Sequence, residues 1–260
     1  MKRIFTVLLA IVIIGIESAS AWGKLGHDVI VEVAKRHLTE NTKRNIAKYM
    51  PYDITSESVY MDIHRNDKEI GYTTAWHVYN VDKNGEYDMN PRLYKGDAIF
   101  AMKVAEHNLT KQERLTDSAI VMNLRCLLHF AGDMHCPTHS YVPGPRCFWP
   151  CELNGKKYKA FHGVYDYIPK NLHPNKTCVE IAAEIDNAKK SEIKRIQKGT
   201  LLEWVKEIGT MNAVIYEWNP HNTKVLNPDT IELSRELVDT QMRNAGYRLA
   251  YLLNRYFDYK

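Results

Sequence analysis

The chain has 260 residues, 45% of them hydrophobic and 25% charged, with a formal net charge of +4 at pH 7. That composition excludes a disordered or fibrous protein and leaves room for one large domain with its own core. So small a positive excess is no signature of nucleic-acid binding, which depends on how charge is clustered.

The first segment reads as a leader. Lys2 and Arg3 precede an apolar run from Ile4 to Ile16, and Ala19-Ser20-Ala21 has the small-x-small pattern of a cleavage site. The run is shorter than the roughly 20 residues of a spanning helix. The expected organisation is a signal peptide over residues 1–21, cleaved on export, and a single domain over 22–260. No later run has spanning length, so a secreted or periplasmic monomer without stable membrane insertion is expected. Export permits disulfides. Of Cys126, Cys136, Cys147, Cys151 and Cys178, the pair in Pro-Arg-Cys147-Phe-Trp-Pro-Cys151 is spaced to close a small loop, and Cys126 falls on an apolar helix. Spacing leaves the remaining connectivity open. Asn108 and Asn175 begin glycosylation sequons.

The rest reads as helices. Apolar residues recur at helical spacing over His27 to Leu38. Asp117 or Ser118 is placed to cap a helix through Val121, Leu124, Leu127, Leu128 and Ala131 that stops before Pro137. Further helical stretches run from Cys178 to about Gln197, from Leu202 to Trp218, and from Leu237 through Met242, Ala245 and Leu249 to Tyr256. Alternation of the strand type is sparse, with one candidate ribbon over Gly155 to Phe161. Loops rich in turn residues occupy Val81 to Arg92 and Pro137 to Gly155. The periods near 3.6 predict an all-α domain.

The chemistry is carried by His and Asp. His129 and Asp133 are four apart, as are His162 and Asp166, so each pair shares a helix face. His139 lies between the pairs, past Pro137. Asp62 and Arg65 share one turn, and His77 follows Asp62 by fifteen residues. Imidazole nitrogen and carboxylate oxygen are the donors of hydrolytic zinc sites. His27, Asp62, His77, His129, Asp133, His139, His162 and Asp166 provide eight such side chains, and the amino terminus created at Trp22 provides a ninth donor. Nine is the minimum for three metals at about three protein donors each. One His-x3-Asp pair alone is usually a surface feature; two of them, with His139 between and Trp22-x4-His27 after a cleavage site, are not. His37, His64, His107, His135, His173 and His221 read as surface, core or supporting residues, with His135 expected nearest the metals.

Together these segments resemble the S1/P1 nuclease family, within the zinc-dependent phospholipase C/P1 nuclease superfamily. The resemblance begins at Trp22-Gly-Lys-Leu-Gly-His27 and runs through Asp62-Ile-His-Arg65 and Trp76-His77. It continues in Leu128-His129-Phe-Ala-Gly-Asp133-Met-His135-Cys-Pro137-Thr-His139 and His162-Gly-Val-Tyr-Asp166, with weaker echoes in Trp204-Val-Lys-Glu207 and Gly246-Tyr-Arg-Leu-Ala. It implies an all-helical fold with three zincs in a cleft. Asp62, His77, His129 and Asp133 would hold one zinc. The Trp22 amino nitrogen and carbonyl oxygen, with His27 and a shared Asp133, would hold a second, and His139, His162 and Asp166 a third. Asp62, Arg65 and Asp133 would stand closest to the chemistry, with Arg65 facing the substrate phosphate. The implied reaction is hydrolysis of single-stranded DNA or RNA, and of 3′-nucleotides, to 5′-phosphorylated products.

The chain departs from the family at three places. Cys136 stands where Gln is usual, Tyr165 where Trp is usual, and Val78, Tyr79 and Asn80 follow His77 in place of an aromatic residue, an apolar residue and a base-contacting Asp. With Val78 and Asn80 as the substrate-facing pair, weak base preference, or activity skewed toward other phosphoesters, is expected. Two other readings compete: a zinc phospholipase C acting on lipid phosphodiesters, and an exported metal-binding protein without catalysis. The former branch usually ends its ligand set on Glu, where this chain has Asp166. The latter needs neither Arg65 nor a shared carboxylate.

Overall fold

A computed structural model describes residues 22–88, 95–141 and 147–260. The expected signal peptide lies outside the described residues, as do parts of the two turn-rich loops. The described chain is all-α apart from two minimal strand pairs. Helix α1 spans Gly23–Lys35, and α2 (Glu40–Ala47) is capped by Thr39, whose hydroxyl accepts from the Thr42 N–H. A single turn, α3 (Tyr60–Ile63), follows, and a 3-10 segment, Gly71–His77, leads into β1 (Tyr79–Asn80). Helix α4 is Ala98–Leu109 and α5 is Asp117–His135. Strand β2 (Ser140–Tyr141) pairs in parallel with β1, and β3 (Cys151–Leu153) forms a hairpin with β4 (Lys156–Tyr158). The remaining helices are α6 (His162–Leu172), α7 (Cys178–Ile185), α8 (Lys190–Gln197), α9 (Leu201–Asn212), α10 (Ile215–Trp218), α11 (Thr230–Leu233) and α12 (Arg235–Phe257).

Several boundaries differ from those expected. The cap of α5 is Thr116, which accepts from the Ala119 N–H, so Asp117 is already helical. The stretch 178–197 is two helices. At Asp186 the backbone leaves the helix (ψ 64°), and its carboxylate is held by Arg36 at 2.6 Å, His37 at 2.8 Å and the Tyr247 hydroxyl at 2.9 Å. The stretch 202–218 likewise divides into α9 and α10. The ribbon lies earlier than expected, turning at Asn154-Gly155, both at positive φ, as a two-residue hairpin requires. The Cys147–Cys151 loop closure is also corrected: all five cysteines are thiols. The Cys147 Sγ is turned instead onto the Thr138 carbonyl at 3.1 Å, while Cys151 pairs with Tyr158 in the hairpin. Among the described residues no helix is long and apolar enough to cross a membrane.

Helices α1, α5 and α12 form the centre. Leu237, Val238, Met242, Ala245, Leu249 and Leu253 of α12 are fully or nearly buried against them. At Gly246 the helices touch backbone to side chain: a Cβ there would lie 2.5 Å from Val33 and 3.0 Å from the Ile30 carbonyl. Two residues on, Arg248 is 1% exposed. Its guanidinium donates to Glu207 of α9 at 2.7 Å and to the Ile196 carbonyl, and it meets the Nε2 of His135 at 2.9 Å. It also stacks 5.2 Å from the Trp204 ring centre. The weaker sequence echoes thus converge in space and brace the end of α5. Glu207→Ala leaves this guanidinium without its counter-charge. The expected loss is about 2–3 kcal/mol by denaturant unfolding, less than for a fully buried pair because the Glu207 side chain is 41% exposed. An unchanged unfolding midpoint would remove the brace from the account.

Candidate metal centre

Helix α5 is the spine of the site. Its last turns carry His129 and Asp133, both wholly buried, with Oδ2 of Asp133 3.2 Å from Nε2 of His129. Beside them α1 presents His27, whose ring stacks on His129 at 4.3 Å between centres. Gly132 makes this approach possible, since a Cβ there would lie 2.7 Å from the Nδ1 of His27. The 3-10 segment delivers His77, with Nδ1 2.9 Å from Asp133 Oδ2, and α3 delivers Asp62, with Oδ1 3.5 Å from the same nitrogen. One carboxylate, Asp133, therefore faces four imidazoles on two sides: His77 and His129 at Oδ2, and His27 (3.3 Å) and His139 (3.8 Å) at Oδ1.

A second group adjoins it. After α5 stops at Cys136, Pro137 turns the chain so that His139 enters the cleft, its Nδ1 bonded to the His77 carbonyl. Its Nε2 lies 3.1 Å from Nε2 of His162, which lies 3.5 Å from Oδ1 of Asp166 one turn along α6. Arg65 reaches the rim, 3.8 Å from Asp62. Val78 and Asn80 are half-buried, and their carbonyls are tied to the Ala98 and Asp88 N–H groups. Trp22 is fully buried, with φ 47°, and its indole N–H donates to the Gly132 carbonyl at 2.9 Å. The chain then runs so close to α6 that a Cβ at Gly23 would lie 2.8 Å from the Asp166 carbonyl. His135, expected nearest the metals, spends both nitrogens elsewhere, on the Ala131 carbonyl and Arg248.

The electrostatics call for cations. Burial opposes the charge of Asp133, yet His129, His27 and His77 hold its carboxyl well below the usual range. Burial likewise opposes protonation of His129, but Asp133 and Asp62 lift its pKa to about 9. Across the cleft, burial pulls His162 down to about 4 and, with His162, holds His139 well below its ordinary value. Burial, with Asp62 and Asp133 nearby, pushes the Asp166 carboxyl far up. Buried polar atoms are normally hydrogen-bonded. Here the Nδ1 of His27, the Nε2 of His77 and both oxygens of Asp166 are buried without a hydrogen-bond partner. Orphaned imidazole and carboxylate lone pairs that converge are what a metal ion satisfies, so the donor set fits zinc.

Among the described residues, ligand atoms fall into three groups within 4.8 Å: His27, His129 and Asp133; Asp62, His77 and His129; and Cys136, His139 and Asp166. Sequence reasoning missed the supports behind them. The Ser58 carbonyl accepts from Nδ1 of His129 at 2.8 Å, fixing the tautomer that leaves Nε2 toward the cleft. Ser58 is itself held by Asp28 of α1. No spacing rule reveals these, because a main-chain carbonyl acceptor carries no residue signature. Cys136 was legible as a departure, midway between Asp133 and His139, but not as a donor.

The S1/P1 Nuclease family model matches residues 22–258. None of the curated proteins compared matches the chain. A match across nearly the whole sequence, on a helical fold that gathers buried His and Asp side chains, settles the kinship: the chain belongs to the S1/P1 nuclease family.

Proposed function

We propose that this protein is an exported zinc-dependent nuclease that hydrolyses single-stranded DNA or RNA, and 3′-nucleotides, to 5′-phosphorylated products. Family membership supports phosphodiester hydrolysis in general. The observation that carries the finer reading is the convergence of buried, unpartnered imidazole and carboxylate atoms around Asp133 and Asp166. In this reading Asp62, His77, His129 and Asp133 hold one zinc. The Trp22 amino nitrogen and carbonyl oxygen, His27 and the shared Asp133 hold another, and His139, His162 and Asp166 hold the third. Bound zinc supplies a water of lowered pKa and positive charge toward the phosphoryl oxygens.

The chain's own residues do the rest. Asp133 would contribute to both of the first two sites, with Oδ2 beside His77 and His129 and Oδ1 beside His27. Ser58 and the His77 carbonyl lock two imidazoles in ligand tautomers. Arg65, at the rim, orients the phosphate and offsets its charge. Trp22 and the aromatic packing of Trp76 and Phe130 about His77 keep the inner wall dry. Single strands are preferred because a base must leave its stack to be gripped. Val78 and Asn80 give that base a weak grip, so discrimination among bases is slight.

The test is a side-by-side assay of the zinc-loaded protein on single-stranded DNA, RNA, 3′-mononucleotides and phosphatidylcholine, with zinc counted by elemental analysis. The expected result is three zincs per chain, turnover of the nucleic-acid substrates with little base preference, and loss of both activity and thermal stability on chelation. Turnover of the lipid alone would favour the phospholipase reading, and one zinc or none would reject the trinuclear assignment.

A further inference from the structure

Cys136 is fully buried at the end of α5, three residues from Asp133 and three from His139. The family's usual Gln would place a weak amide donor here; a thiolate is among the strongest zinc donors. The sulfur and one ligand atom each of His139 and Asp166 lie within 4.8 Å of one another. Asp166 is 3% exposed, and neither of its oxygens has a hydrogen-bond partner. A thiol that only fills space is met by apolar side chains. This one has the orphaned carboxylate of Asp166 within 4.8 Å and the Thr138 hydroxyl at 3.6 Å.

We propose that Cys136 is a metal ligand, its thiolate joining His139 and Asp166, beside His162, to hold a thiophilic divalent cation at the third centre. This rests on the metal-dependent reading above and adds to it a sulfur donor. As the metal–sulfur bond forms, the thiol proton leaves to solvent. The soft donor then biases this centre toward zinc, cadmium or cobalt over manganese or magnesium.

Cobalt(II) replacement tests the proposal without reference to activity. The purified protein is stripped, reloaded with cobalt(II), and read by near-ultraviolet absorbance and by metal content, alongside Cys136→Gln, Cys136→Ser and Cys147→Ser. Cys147 is the control because its sulfur lies 3.6 Å from Nδ1 of His162. The expected result is a sulfur-to-cobalt charge-transfer band in the parent and in Cys147→Ser. The band should be absent from both Cys136 variants, which should bind one cobalt fewer at limiting metal while keeping the helical circular dichroism. Cobalt bound by the parent without the band overturns the sulfur ligand and leaves the metal-dependent reading standing. A band that survives in the Cys136 variants and vanishes in Cys147→Ser overturns it in the same way. A parent protein that binds no cobalt overturns both.

Discussion

Asp133→Asn is expected to lower activity by at least about 10²–10³-fold, the scale seen when one preorganised electrostatic group is removed from an active site. The variant keeps the shape of the side chain and removes its charge. In the parent, one oxygen meets His77 and His129 at 2.9 and 3.2 Å, and the other meets His27 at 3.3 Å. An amide there turns an N–H toward imidazole nitrogens that need a cation, so both centres that share the residue should weaken. Asp166→Asn is the comparison. Asp166 lies 3.5 Å from His162 and within 4.8 Å of His139, both in a single group, so its loss should remove one zinc and less activity. Initial rates and elemental analysis of the two variants, measured together, decide the matter. Equal losses of rate and of zinc would end the assignment of Asp133 as a shared ligand.

One extra residue before Trp22 should be nearly as damaging. An α-amino group has a pKa of about 7.7–8.0, so zinc can displace its proton near neutral pH. The carbonyl oxygen of the same residue completes a five-membered chelate that no side chain at that place can copy. Trp22 is fully buried and anchored by its indole on the Gly132 carbonyl, and the next residue, Gly23, packs against the Asp166 carbonyl of α6. An added residue converts the amine to an amide and leaves the anchor intact. The expected outcome is loss of one zinc and an activity loss beyond the roughly 10–100-fold typical of an outer-shell partner, with an unchanged helical spectrum. Full activity and full zinc in the extended protein would show that the terminus is not a ligand.

Much of this was legible because the informative residues repeat at helical intervals. His129 with Asp133, and His162 with Asp166, fall one turn apart, and both pairs do lie on helices, α5 and α6. The long period of α12 was equally plain. The helices that escaped notice did so for physical reasons. In α4, the small residues Ala98, Ala101 and Ala105 blur the apolar face while Phe100 points outward. In α2, only Thr42, Asn45 and Ile46 are buried, so there is little apolar period to see. The break at Asp186 depends on Arg36, His37 and Tyr247, which no window of neighbouring residues contains. The meeting of Trp204, Glu207 and Arg248 behind His135 is likewise a tertiary fact.

The backbone at Trp22 has a consequence for maturation. Its φ of 47° lies in the left-handed region, which costs a residue bearing a Cβ roughly 1–2 kcal/mol. A residue that begins a chain has no preceding carbonyl carbon, and therefore no φ at all. Where the bond between Ala21 and Trp22 is cut, the torsion that stores this energy ceases to exist while the buried indole stays in place. Cleavage there, the processing expected from the sequence, would free the start of the chain of a left-handed torsion worth about 1–2 kcal/mol.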